Sequence, residues 1–357
     1  VTCGGLCPGE NSIIRELVGT LHDYGCPNIY GIKHGLPGIE DFNNWKPLTL
    51  KSVQDIHGKG GTVLQSGRGT PNHRHNAEML KQKNVRQCFA IGGFGTQRGV
   101  CQLLNGLIEL NHECSCVGVP TTVDNNICMI DKSPGFDSAC TEACVAVEAA
   151  YVEATCNANC IGLVKLMGRH CGFIAMNAAL AARTVDICLL PEMEIDIEKV
   201  LKHVQFLMET KGHVVIVVAE GCGDTLLEGT GEKDAGGNAK MPDVGVWLKD
   251  TILAHFKTLN RPLTIKYLDP TYSVRAIPAN ANDSIYCSML AQGGVHAAMA
   301  GYTGVTVAKV NSNYVYLPIR TITGMANRRV EVTGSWYERL LAATLQPNLS
   351  VTGVKTA

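Results

Sequence analysis

The chain has 357 residues, 45% hydrophobic and 18% charged, with a formal net charge of -1. Single cores stop growing well below this length, so two packed lobes are expected. The balanced charge offers no global electrostatic attraction to nucleic acid or to an anionic membrane. No apolar run reaches bilayer length and no charged-then-apolar leader opens the chain, so a soluble protein without a membrane span is expected.

In chain order, "VTCGGLCPGEN" (1–11) opens on a strand end and a glycine turn, without a methionine, which implies an upstream segment. Apolar, β-branched runs predict strands over 62–64, 87–91, 116–119, 161–165, 186–190, 213–219 and 305–309. Helical patterns fill the intervals, over 10–24, 73–83, 96–110, 137–158, 172–182, 197–210, 243–257 and 283–300. This alternation is the mark of a parallel sheet with crossover helices, hence an α/β, doubly wound chain. The glycine- and charge-rich stretch 221–243 reads as an exposed loop. The sixteen cysteines sit mostly inside apolar runs such as "CFAIGG" and "DICLLPE", where reduced thiols act as small hydrophobes. Reduced thiols fit the cytoplasm, and a plastid or other organelle is equally compatible.

Open α/β sheets bind ligands at the carboxyl ends of their strands, where a helix N-terminus offers unpaired amides to anions. Five such turns stand out: "CGGLCPGEN" (3–11), "IGGFGTQRG" (91–99), "VPTTVDNN" (119–126), "KLMGRHCGF" (165–173) and "VAEGCG" (218–223). Each alone is ordinary turn chemistry. In this order, and with "GFDSA", "YLDPTYSVRA" and "ANANDSIYC…AQGGVHAAMAGYTG", they closely resemble the phosphofructokinase family, within it the plant and protist ATP-using branch. The resemblance covers essentially the whole chain and implies two Rossmann-like lobes with mostly parallel sheets flanked by helices. The expected lobes are 1–135 plus about 276–325, on the nucleotide side, and 136–275 plus 326–357, on the sugar-phosphate side.

The family transfers the terminal phosphoryl group of ATP, with Mg2+, to the 1-hydroxyl of fructose 6-phosphate. Such transfer depends on positioning, neutralisation of charge and a carboxylate that accepts the hydroxyl proton. The resemblance puts Asp124 at the catalytic base, with Thr122 beside it, and Arg68 at the position that stabilises the moving phosphoryl group. It puts Met167, Gly168, Arg169 and Glu220 around the sugar, and Lys266, Tyr272 and Arg275 at its phosphate, where a forked arginine suits bidentate contact. Gly4, Gly5, Gly93, Gly95 and Thr96 fall in the turns that cradle the nucleotide phosphates. In family tetramers the residue at the Lys266 position reaches into a neighbouring subunit, so a homo- or hetero-oligomer with related subunits is expected.

The departures lie on one side of the pattern. The family's "GGDGT" has an aspartate that helps to hold magnesium, and this chain has Phe94 there; the second acid of "TIDND" is Asn126. Magnesium takes hard oxygen ligands, and a phenyl ring supplies none. Each lost carboxylate beside a divalent cation matters by about 4 kcal/mol for unit charges at about 4 Å. "HGLPG" (34–38) stands where relatives have "YGYRG" near the nucleotide, Glu10 enters a turn that relatives use for triphosphate, and Thr121 replaces a lysine. Gly95 is retained, where pyrophosphate-using relatives carry a second acid. Three readings follow: a weakly active or non-catalytic subunit with its hexose pocket intact, a working ATP-dependent enzyme, and an architectural subunit that binds no small ligand.

Overall fold

The computed structural model of the protein describes residues 1–67, 71–227 and 243–351. In chain order the strands and helices begin β1 (Thr2–Cys3), α1 (Glu10–Asp23), β2 (Tyr30–Ile32), β3 (Trp45–Pro47), α2 (Leu50–Val53), α3 (His73–Gln82), β4 (Gln87–Gly92), α4 (Phe94–Glu109) and β5 (Ser115–Pro120). They continue with α5 (Phe136–Cys156), β6 (Cys160–Leu166), α6 (Phe173–Ala182), β7 (Ile187–Leu189), α7 (Ile197–Lys211), β8 (His213–Ala219), α8 (Gly223–Leu226), α9 (Val244–Thr258) and β9 (Thr264–Leu268). The last are α10 (Ser273–Ala276), α11 (Ala281–Met299), β10 (Val305–Val310), β11 (Asn313–Pro318), α12 (Ile319–Gly324) and α13 (Ser335–Thr344).

The chain divides into two compact units. The first holds residues 1–138 and 275–328, the second holds the described residues from 139 to 274 and from 329 onward. In the first unit the sheet order is β1-β4-β5-β10-β11. Its first four strands run parallel and β11 returns antiparallel to β10. β4 and β5 are apolar on both faces because both are covered: α1 and α11 pack one side through Ile14, Val18, Leu290 and Val295. On the other side lie Leu80, Val100, Leu103 and Leu107, from α3 and α4. A parallel sheet covered on both faces reads as continuous hydrophobic runs, which is how 87–91 and 116–119 show themselves in the sequence.

In the second unit the sheet is β7-β8-β6-β9, all parallel. β6 and β8 are buried along nearly their whole length. The helices start on side-chain caps where the sequence offers them: Asp196 accepts from the backbone N–H groups of Glu198 and Lys199 at 3.1 and 3.2 Å to begin α7, a standard N-cap.

The expected strand over 62–64 does not form. Its backbone is held by side chains instead of a ladder: Val63 N–H donates to Asn11 Oδ1 at 2.9 Å, and Gln65 turns the chain with φ +58°. Conversely, β2, β3, β9 and β11 were not expected. β11 follows a two-residue hairpin at Asn311 and Ser312, both with positive φ, and both donating backbone N–H groups to Asp131, at 2.7 and 2.8 Å. The exposed loop expected over 221–243 lies mostly outside the described residues.

Candidate functional site

In the first unit three turns meet at the carboxyl ends of β1, β4 and β5. β4 ends at Gly92, whose φ of +156° suits glycine, and a Cβ there would lie 2.5 Å from the Cys3 carbonyl oxygen. Thr121 N–H donates to Gly92 O at 3.2 Å, so the turn after β5 is latched to the turn after β4. The latched turn is rigid: Asp124 N–H donates to Thr122 Oγ1, Ser133 Oγ donates to Thr122 O at 2.9 Å, and Asn125, at φ +55°, accepts Ser133 N–H at 3.0 Å. Thr122 is therefore held beside Gly93, where an added Cβ would lie 3.6 Å from Thr122 Cβ, and Asp124 is tied to Thr122. Burial pushes the Asp124 carboxyl above the usual carboxylate range.

One helix start completes this group. α4 begins at Phe94 with Gly93 as a cap that supplies no side-chain bond, and Gly95 and Gly4 both have open space where a Cβ would stand. Thr96 is buried and its hydroxyl turns back toward the Cys3 carbonyl at 3.5 Å. An uncapped helix start next to open glycines presents amides to an anion. Gly4 N–H donates to Gly67 O at 3.1 Å and Ser66 Oγ donates to Gly4 O at 2.8 Å. This fastens the segment that leads to Arg68 beside the first glycine turn; Arg68 itself lies outside the described residues.

Phe94 is half-buried, and the Arg98 guanidinium stands 5.5 Å from its ring centroid, a cation–π pair one turn along α4. The Asn126 side-chain oxygen is buried without a hydrogen bond. The residues at these two positions thus offer magnesium a hydrocarbon ring carrying a cation and one neutral amide oxygen, and that donor set does not fit a divalent ion of Mg2+ type. Leu36 of "HGLPG" points inward: it is 5% exposed and belongs to the core beside α4.

Glu10 is fully buried at the first position of α1. Neither carboxyl oxygen has a hydrogen-bond partner, and burial pushes the group up to about 8, with the Cys7 backbone offsetting only part. The charge expected beside the triphosphate turn is therefore a neutral acid within the core at neutral pH.

In the second unit, Met167, Gly168 and Arg169 follow β6. Gly168 has φ +132°, and a Cβ at Gly221 would lie 2.1 Å from the Arg169 carbonyl oxygen. Gly221 N–H donates to Gly168 O at 3.1 Å, so Glu220, which follows β8, is joined to the Met167–Arg169 turn. Lys266 is not part of this group. It pairs with Gly162 in the β6–β9 ladder, four residues before the end of β6, and its ammonium faces Glu153 at 3.4 Å. Tyr272 is 74% exposed. Tyr272 belongs to the second unit and Arg275 to the first.

Two anchors of this region escaped the sequence reading. Glu192 accepts the Gly172 N–H with both oxygens, at 3.0 and 3.1 Å, and the Val330 N–H at 2.8 Å, which holds the start of α6. Lys165, inside "KLMGR", is 12% exposed and reaches Asp243 and Asp269, each at 2.8 Å. Burial works against charge at all three groups, and their mutual contacts override it: Lys165 is held above, and both acids below, their ordinary values.

The phosphofructokinase family model matches residues 1–298. ATP-dependent 6-phosphofructokinase 5, chloroplastic, of Arabidopsis thaliana is 44% identical over 352 residues, 98% of this chain and 65% of that protein. ATP-dependent 6-phosphofructokinase of Trypanosoma brucei brucei is 36% identical over 351 residues, 97% of this chain and 72% of that protein. Among solved structures, phosphofructokinase from Saccharomyces cerevisiae superposes with a TM-score of 0.74 at 20% identity, covering 98% of this chain and 48% of that one. Pyrophosphate-dependent phosphofructokinase from Marinobacter aquaeolei superposes at 0.77 and 19% identity, covering 97% and 91%. The two solved structures share the α/β fold, and the chain belongs to the phosphofructokinase family. It spans just under two thirds of the first of these relatives, at 65% of its length.

Proposed function

We propose that this chain is a 6-phosphofructokinase-family subunit that binds fructose 6-phosphate and transfers phosphoryl groups from ATP weakly or not at all, within an oligomer of like or related subunits. In this reading Met167, Gly168, Arg169, Glu220, Tyr272 and Arg275 bind the sugar phosphate, with Lys266 serving a neighbouring subunit. The nucleotide's phosphates lie along Gly4, Gly5, Gly93, Gly95 and Thr96, Arg68 neutralises the moving phosphoryl group, and Asp124, beside Thr122, accepts the proton of the sugar 1-hydroxyl. The observation that carries the reading is Phe94: the first residue of α4 presents a hydrocarbon ring, with the Arg98 guanidinium 5.5 Å from its centroid, where the family pattern has an acid. A cytoplasmic or organellar location, in a plastid or another organelle, belongs to the same reading.

A coupled assay of fructose 1,6-bisphosphate formation on the purified protein tests it. Low turnover that rises at least about tenfold in the Phe94→Asp, Asn126→Asp double variant supports the proposal, since each restored carboxylate is a multi-kcal/mol effect. A second reading, an active ATP-dependent 6-phosphofructokinase, is favoured by the ATP-dependent 6-phosphofructokinase of Arabidopsis thaliana at 44% identity. Brisk turnover by the unaltered chain selects it. Absence of any thermal stabilisation by fructose 6-phosphate selects an architectural role instead.

A further inference from the structure

The β6–β9 ladder ends at the pair Val164 and Leu268. Beyond it the two strands carry the turns assigned above to the sugar phosphate, Met167–Arg169 on one and Tyr272 on the other. No backbone pairing holds those ends together, and the next rung is ionic: Lys165, which follows Val164, meets Asp269, which follows Leu268, at 2.8 Å.

The same ammonium meets Asp243 at 2.8 Å. Asp243 caps α9 by accepting the Gly245 and Val246 N–H groups at 3.0 and 3.1 Å, and accepts the Tyr267 hydroxyl at 2.9 Å. Asp269 in turn accepts the Thr271 N–H at 3.1 Å, which shapes the turn just before Tyr272. One cation thus ties the end of β6, the end of β9, the start of α9 and the 269–272 turn. The ammonium is mostly withdrawn from water although both carboxylates remain partly exposed, and a charge-assisted contact of this length holds geometry better than a fully exposed pair.

We infer that Lys165 is a positioning residue for hexose-phosphate binding: by bridging Asp243 and Asp269 it sets the spacing between the Met167–Arg169 turn and the Tyr272 turn. The inference rests on the proposed reading of these turns as the sugar-phosphate grip. Removal of the ammonium cuts the tie from the end of β6 to Asp269 and to the start of α9 and leaves both carboxylates without their counter-charge, so the spacing of the two turns is no longer fixed. The group touches no reacting atom in this scheme; it acts through the backbone it aligns.

The test is calorimetric titration of the full chain with fructose 6-phosphate, comparing the unaltered protein with Lys165→Met, Lys165→Arg and Asp269→Asn, with far-UV circular dichroism as a check of folding. The expected result is a Kd at least about tenfold weaker in Lys165→Met, recovery to within about threefold in Lys165→Arg, and an intermediate weakening in Asp269→Asn. Rescue by arginine separates a role for the cation from mere packing of the side-chain stem. Binding by Lys165→Met within about twofold of the unaltered protein overturns the inference. Should that variant fail to fold, Asp269→Asn decides: unchanged affinity overturns, weakened affinity supports. Failure of the unaltered chain to bind fructose 6-phosphate overturns the reading of the site, and this inference with it.

Discussion

Phe94 and Glu10 show how single side chains redirect the chemistry available to a shared fold. At position 94 the ring's negative face attracts the Arg98 guanidinium, 5.5 Å from its centroid; in the proposed reading this puts a platform for a cation where the family pattern has a ligand for one. Asp124 remains, and its raised affinity for protons makes it a stronger acceptor once ionised. Any residual phosphoryl transfer is expected to fall off on the acid side at a pH above the ordinary carboxylate value of about 3.9, and to vanish in Asp124→Asn; a pH–rate profile checks both. Glu10 has the opposite consequence, on stability. Its folded value of about 8 against 4.5 when free means that the native state retains a proton the unfolded chain has already released between those values. Stability therefore declines as pH rises through that window, by up to about 1.4 kcal/mol per unit. Glu10→Leu is expected to flatten this decline, seen as urea midpoints at about pH 6 and about pH 8.5 that lie closer together than in the unaltered protein.

At the scale of elements, the first unit depends on a buried polar joint between α5 and α11. Asp283 is fully buried and accepts both the backbone N–H and the hydroxyl of Ser138, each at 2.7 Å. Ser138 Oγ in turn accepts the Asn280 N–H at 2.8 Å, and Asn280 caps α11 by accepting the Asp283 N–H at 2.9 Å. Ser138 thus bridges the two helices across 142 residues of chain, with both of its donors on Asp283 Oδ2, while Asp283 Oδ1 is buried without a hydrogen bond. Asp283→Ala strands the Ser138 donors, at a cost of roughly 2–4 kcal/mol, and a thermal melt of that variant should begin several degrees lower. Sheet placement follows simpler rules. β5, β6 and β8 announce themselves as β-branched runs because both faces are covered, whereas β11 alternates exposed tyrosines with half-buried Val315 and Leu317 and does not stand out as a strand until its hairpin partner is known.

The whole molecule is a pair of units, each formed from segments distant in sequence. A ligand that binds only the folded state raises the stability of the whole by mass action, so fructose 6-phosphate at about a hundred times its Kd should add about 2.7 kcal/mol, read as an upward shift in Tm. The five turns at strand ends, four of them bearing glycine, were legible in the amino-acid sequence, as were the helices over 73–83, 197–210 and 283–300, because local chemistry dictates them: caps, apolar periodicity and glycine where φ is positive. So was membership of the family, which the ordered motifs carry. What only tertiary structure decided is where side chains without periodicity find partners. Lys165 in "KLMGR" had no visible counterpart among acids 78 and 104 positions away, Leu36 gave no sign that it turns into the core, and Glu10 read as a negative charge beside the triphosphate turn although it is sealed inside. Burial and long-range pairing are properties of the packed chain, and the free energy of a charge depends on the medium that packing creates around it.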